Sequence, residues 1–128
     1  MNQRIVLAKR PTGWVDESCF ALQDCPEPSC GPEDVLLEAI YLSTDPYLRG
    51  RMNEGPSYAP GFALGQPIVS RVVARVLASG HARFKPGDIV WGFLDWALRC
   101  VVPHIPVGSG SRLSALIWAN PLRQVPAL

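Results

Sequence analysis

The chain predicts an all-β domain with one or two helical turns, and three observations carry that prediction. Thirteen prolines and eleven glycines in 128 residues break the chain too often for a helical bundle. The stretch Pro67 to Ala78 alternates with period 2, as a half-buried strand does. The run Val35 to Ser43 is apolar with few polar interruptions, which suits a strand buried on most of its length.

Taken in order, Arg4 to Lys9 predicts the first strand, ended by the turn signal Arg10 to Gly13. Asp16 to Ser18 reads as a loop and Cys19 to Gln23 as a second short strand. Cys25 to Pro32 holds three prolines, which remove ladder donors, so it reads as a connection. The strand Val35 to Ser43 must stop at Asp45-Pro46, because proline fixes its own φ and disfavours helical geometry in the residue before it. Pro46 then suits the opening of a short helical turn, with Thr44 or Asp45 as cap. Such a turn carries Tyr47, Arg49 and Arg51 at the end of a rigid strand. Two readings stand side by side: a phenol and two cations gathered for an anionic or carbonyl-bearing ligand, or a capping Asp45, a packed Tyr47 and solvated arginines.

Asn53 to Gly65 is a Gly- and Pro-rich loop with Tyr58 and Phe62 as apolar anchors. In Pro67 to Ala78, Ile68, Ser70, Val72, Ala74 and Val76 share one face. Arg71 and Arg75 fall on the other, which is therefore partly wet. Ser79-Gly80 turns the chain, Phe84 to Asp88 is a type I or II turn, and Ile89 to Phe93 and Trp96 to Val102 are further strands. In the last segment, Ser111 or Ser114 suits the cap of one short helix over Leu113 to Asn120, stopped by Pro121.

Composition narrows the partners. A formal net charge of +1 gives no electrostatic case for nucleic acid or an anionic membrane. No segment is long and apolar enough to span a bilayer, and residues 1–20 lack the pattern of a signal peptide, so the chain reads as cytoplasmic. Cys19, Cys25, Cys30 and Cys100 lack the spacing of a zinc ribbon or redox pair and are expected as free thiols. Gly108-Ser-Gly110 is the sole glycine-rich turn of dinucleotide type. It lacks a third glycine and a preceding strand, and fewer than twenty residues follow it. No Gly-x-Ser-x-Gly elbow occurs, and Asp16-Glu17 and Glu33-Asp34 are adjacent loop pairs of the solvated kind.

Tyr41 to Met52, continued through Tyr58, together with Ser70-Arg-Val and Lys85 to Gly92, resembles the zinc-independent, NADPH-dependent double-bond reductases of the medium-chain dehydrogenase/reductase superfamily. The resemblance runs from about Arg4 to Pro103 and covers their N-terminal, GroES-like substrate domain. It implies a GroES-like, partly open β-barrel over residues 1–103, with 104–128 a divergent tail that packs on the domain or on a partner subunit. It implies that Tyr47 and Tyr58 line a substrate mouth; with Arg49 of the same turn, read above from the residues, they are expected to hold a small carbonyl or aromatic ligand. It assigns no catalytic residue to this chain. Zinc-dependent relatives carry a Cys after the first buried strand and a His-Glu pair at the next; Ser43 and Pro67 to Val69 stand near those places, so no metal is expected.

NADPH is the cofactor of the full-length family and is held by a second domain, for which this sequence has no unit. The expectation is therefore a truncated relative: a stand-alone small-molecule-binding or oligomeric domain, without bound cofactor or hydride transfer of its own. The alternatives are an oxidoreductase half that reduces enones only with a separate nucleotide-binding chain, and an interaction module with no ligand. A homo-oligomer is expected, because a missing domain bares apolar surface and strand edges.

Overall fold

The computed structural model describes residues 1–54 and 61–103, and the backbone of 117–118. Strand β1 (Asn2–Leu7) pairs antiparallel with β2 (Phe20–Cys25). A second sheet has the order β6-β3-β4-β5-β7, built from β3 (Val35–Leu42), β4 (Val69–Ser79), β5 (Ile89–Asp95), β6 (Arg99–Val102) and β7 (Ile117–Trp118). Every pairing among them is antiparallel. A four-residue helix α1 (Leu48–Arg51) follows β3.

The two sheets are stitched at their ends. Ile5 N–H donates to the Trp96 carbonyl at 2.8 Å and Leu98 N–H to the Gln3 carbonyl at 2.9 Å. Further along the same edge of β1, Ile68 N–H donates to the Ile5 carbonyl and Leu7 N–H to that of Gln66. Segments 96–98 and 66–68 thus line the one edge of β1 that β2 leaves open, and the larger sheet curls into a half-closed barrel. Its interior is filled by Val35 and Leu37 of β3, Val72 and Val76 of β4 and Val90 of β5, each at most 2% exposed.

β4 follows its period: Ile68, Ser70, Val72, Ala74 and Val76 are buried, whereas Arg71 and Arg75 are exposed. Gly87 has φ +93°, so the 85–88 turn is type II, with Pro86 and Gly87 at its centre. The four thiols are free. Glu27 in the Pro-rich connection receives Arg99 Nε at 2.8 Å, which ties that loop to β6.

Several boundaries differ from the sequence reading, each for a local reason. β1 ends at Leu7 rather than Lys9, because the N–H groups of Ala8 and Lys9 both converge on the Cys19 carbonyl. The expected loop at 16–18 contains a 3-10 turn, Glu17–Cys19, which Asp16 caps by accepting from the Ser18 N–H. Hydrogen bonds from Ser18 hold the Asp16 carboxyl below its usual range. The strand expected over Trp96 to Val102 begins at Arg99, since 96–98 is spent on the stitch to β1.

Two differences concern function more directly. β3 is not buried along most of its length: Val35 and Leu37 are at 0% exposure, but Ile40, Tyr41 and Leu42 are 38%, 72% and 40% exposed. β6 pairs only with Val35 to Glu38, and the far half of β3 runs past it. In the tail, Ile117–Trp118 is a strand on β5, opposite Trp91 and Val90, where a helix over 113–120 was expected. A short apolar run adopts the period of whatever edge it meets.

Candidate functional site

The turn after β3 is held from inside the barrel by a buried polar knot. Ser43 N–H donates to the Arg71 carbonyl at 2.9 Å, which continues the β3–β4 ladder one residue beyond the strand. The Ser70 hydroxyl donates to the Ser43 carbonyl at 2.8 Å and accepts Trp96 Nε1–H at 2.8 Å. Beyond it, Asp45 does not cap the helix with its side chain: its carboxylate accepts from the Ser43 hydroxyl, while its carbonyl accepts Leu48 N–H at 3.0 Å. Thr44 does not cap either; the N-cap position is Tyr47, which makes no side-chain capping bond. A single helical turn tolerates this, because the N–H groups of Leu48 and Arg49 donate to the carbonyls of Asp45 and Pro46 instead.

Leu48 and Met52 point from α1 into the core, and Tyr47 packs against the same cluster with its hydroxyl oxygen buried. Arg49 turns the other way. Its Nε donates to the Gly13 carbonyl at 3.1 Å, Nη2 to the Pro11 carbonyl at 3.2 Å, and Nη1 to Asn53 Oδ1. Arg10 reciprocates by donating to the carbonyls of Met52 and Phe62, at 2.9 and 3.1 Å. Arg51 lies 4.4 Å over the Phe62 ring. The 10–15 loop, α1 and the 61–62 segment are thus clamped together by guanidinium forks on backbone carbonyls, a geometry lysine cannot reproduce.

The clamp defines a groove of about 560 Å³ lined by Gly13, Trp14, Val15, Pro46 and Arg49. Of the residues singled out in the sequence, Tyr47 at the N-cap of α1 faces the core and Arg49 on α1 faces the groove, so the structure does not bring their side chains together. Tyr58 lies outside the described residues. Trp14, which the sequence reading passed over, is 96% exposed and stands in the groove wall. The only signal for it is a lone tryptophan beside a turn glycine, Gly13 at φ +87°. A second groove, of about 220 Å³, runs between β1 and the far half of β3, past Leu22, Ile40 and Leu98. A third, of about 330 Å³, lies on the outer face of the sheet, lined by Tyr41, Leu42, Ser43, Arg71, Val73 and Trp91.

Among the described residues no group of three His, Cys, Asp or Glu side chains is arranged to hold a metal ion. A dinucleotide needs a parallel βαβ unit with a helix N-terminus at its first turn. The described pairings are antiparallel and the described α-helix has four residues. Gly108-Ser-Gly110 lies outside the described residues.

The family described as the N-terminal domain of oxidoreductase matches residues 3–107. The NADPH-dependent curcumin reductase of Escherichia coli K12 is 42% identical over 95 residues, covering 74% of this chain and 28% of that protein. The NADP(+)-dependent 2-alkenal reductase of Nicotiana tabacum is 41% identical over 103 residues, again 74% of this chain and 29% of that protein. The crystal structure of CurA from Vibrio vulnificus superimposes with a TM-score of 0.76 at 38% identity, covering 79% of this chain and 30% of that one. CurA in complex with NADPH gives a TM-score of 0.74 at 37% identity. The chain spans less than a third of the length of these two reductases.

Proposed function

This chain belongs to the oxidoreductase N-terminal-domain family, with the GroES-like fold of its curcumin- and alkenal-reductase relatives, and from that premise we propose that it is the substrate-side half of such a reductase. In this reading it binds a small carbonyl or aromatic compound at the turn after β3, through Tyr47, Arg49 and Tyr58, and does not itself carry hydride. One observation supports it above the others. Identity of about 40% with reductases named for NADPH or NADP(+) runs across this turn, while the described residues contain no parallel strand pair on which a nucleotide could sit. Hydride transfer then requires a nucleotide-binding domain from another polypeptide or from more of the same one.

The test has two arms. Benzylideneacetone and NADPH are incubated with the chain alone and with candidate nucleotide-binding chains, and NADPH absorbance is followed. The chain alone is expected to be silent; steady turnover without any companion would overturn the reading. Benzylideneacetone should raise the melting temperature of the isolated chain, and Tyr47→Phe and Tyr58→Phe should reduce that shift. An unchanged shift in both variants would remove the assigned site.

A second reading is favoured by the bare far half of β3. Ile40, Tyr41 and Leu42 form an apolar rim beside the 220 Å³ groove, and such surface is commonly covered by self-association. The proposal includes a homo-oligomer built on this rim. It treats 104–128 as a separate tail, consistent with Ile117–Trp118 adding to β5. It also takes the chain to be cytoplasmic and zinc-independent. Light scattering after size exclusion checks the first of these; a monomer at high concentration would refute it.

A further inference from the structure

The outer face of the larger sheet departs from what an antiparallel sheet with one packed face normally shows. Alternate positions pointing away from the core are expected to be polar. Here they include Tyr41 on β3, Arg71 and Val73 on β4, and Trp91 and Phe93 on β5. Val73 stands directly opposite both Tyr41 and Trp91, so a short side chain is flanked by two long flat ones. The result is a trough, and it is the groove of about 330 Å³ described above. Arg71 stands opposite Phe93 at one end of it.

The Arg71 guanidinium lies 5.9 Å from the Trp91 ring centroid and 5.6 Å from that of Phe93. Among the described residues its guanidinium meets these two rings and no hydrogen-bond acceptor, so its N–H fork is available to an acceptor from outside. This distinguishes it from Arg49, whose Nε and Nη2 are spent on backbone carbonyls, and from Arg10, whose Nη1 bonds two of them. Stacking on aromatic faces restricts the guanidinium without consuming its donors, which favours bidentate acceptance of a carboxylate.

We propose that this face is a binding site for a planar aryl carboxylate, with the carboxylate on the Arg71 fork and the ring laid over Val73 between Tyr41 and Trp91. The volume suits one or two fused rings. Flat apolar walls select a planar body, and Arg71, the cation in the groove's lining, selects an anion attached to it. The site is separate from the turn that carries Tyr47 and Arg49, and the inference does not depend on that turn binding anything.

The test titrates naphthoate, its neutral isostere naphthamide, and inorganic phosphate into the full 128-residue chain. Binding is read by calorimetry and by the ¹H–¹⁵N signals of the Trp91 indole and the Arg71 side chain. Naphthoate is expected to bind and to shift both signals, naphthamide about tenfold more weakly, since one charge-assisted fork separates them. Arg71→Gln, at an exposed position that should not disturb folding, is expected to weaken naphthoate by a similar factor. Val73→Phe, which fills the trough, should weaken both aryl ligands, and Tyr47→Phe should change neither. Naphthoate binding that survives Arg71→Gln, equal binding of naphthamide, displacement by phosphate at equal concentration, or no binding at all would each overturn the proposal.

Discussion

Replacing Ser70 by alanine removes a single oxygen, yet it is the change we expect to injure this domain most for its size. Ser70 is at 0% exposure and its hydroxyl serves two partners at once, the Ser43 carbonyl and the Trp96 indole N–H, each at 2.8 Å. The space vacated is too small for a water molecule, so both partners are left without their bond. Each stranded buried group is worth about 1–3 kcal/mol, and the pair together about 3 kcal/mol, because the Ser43 side is only partly buried. For a domain of this size that lowers the melting temperature by roughly 10–20 °C. Urea unfolding followed by circular dichroism measures it directly. Trp96→Phe supplies the control: it removes the same N–H while keeping an aromatic ring against Phe20, whose centroid lies 6.2 Å away. In the alanine background Trp96→Phe should be less harmful than in the parent by about 1 kcal/mol, since the donor it removes is already stranded. A loss below about 0.5 kcal/mol for Ser70→Ala, or strict additivity of the two changes, would refute the assignment of the knot as the anchor of the turn.

Other expectations follow from the same contacts. Arg99, by its hydrogen bond and then its charge, holds the Glu27 carboxyl below its ordinary value of 4.5. A depressed folded-state pKa means the contribution is present above 4.5 and is lost as pH falls through the folded value, so Glu27→Gln should flatten acid unfolding below pH 4.5. Because the pair is exposed, the difference should fade in about 1 M salt; a difference confined to neutral pH would contradict the account. A Cβ at Gly80 would run into the backbone carbonyl of Pro32, so Gly80→Ala should destabilise by more than about 3 kcal/mol. Gly87→Ala meets open space and only the strain of φ +93°, about 1–2 kcal/mol; calorimetry giving the reverse order would sink both arguments. Arg49→Met should speed amide exchange across 12–15, and Arg49→Lys should not restore protection, since an ammonium cannot span the Pro11 and Gly13 carbonyls as the fork does.

What could be read from the sequence was whatever is encoded within a few residues. The period of β4 placed Ser70 inward and Arg71 outward, and that one alternation positions both the buried knot and the outer groove. Proline at 46 ended β3, and glycine at 87 allowed the type II turn. The half-closed barrel came through resemblance, because it depends on bonds between β1 and residues some sixty to ninety positions away. The burial of β3 was misjudged for a related reason. Hydrophobicity says that a residue can be covered, whereas the length of β6 decides whether it is, and β6 stops opposite Glu38. Arg49 was equally opaque: a cation in a turn looks the same whether it meets solvent, a ligand, or carbonyls 36 and 38 residues distant.

The features hidden from the sequence belong together. The turn after β3 is fixed from within by Ser70 and from without by Arg49, so its backbone has little freedom to adjust to a ligand. Next to this rigid turn lie the most exposed apolar residues of the strand that feeds it, Tyr41 and Leu42. Exposed apolar side chains on a mobile loop can collapse onto the domain, but on a strand held to β4 on one side they cannot retreat. A rigid turn beside a rim that cannot cover itself is suited to being completed by a second surface. On that argument the surface that completes it is the second copy proposed above, so amide exchange at Tyr41 and Leu42 should slow as chain concentration rises, in step with the oligomer fraction read by light scattering; exchange independent of concentration would refute it.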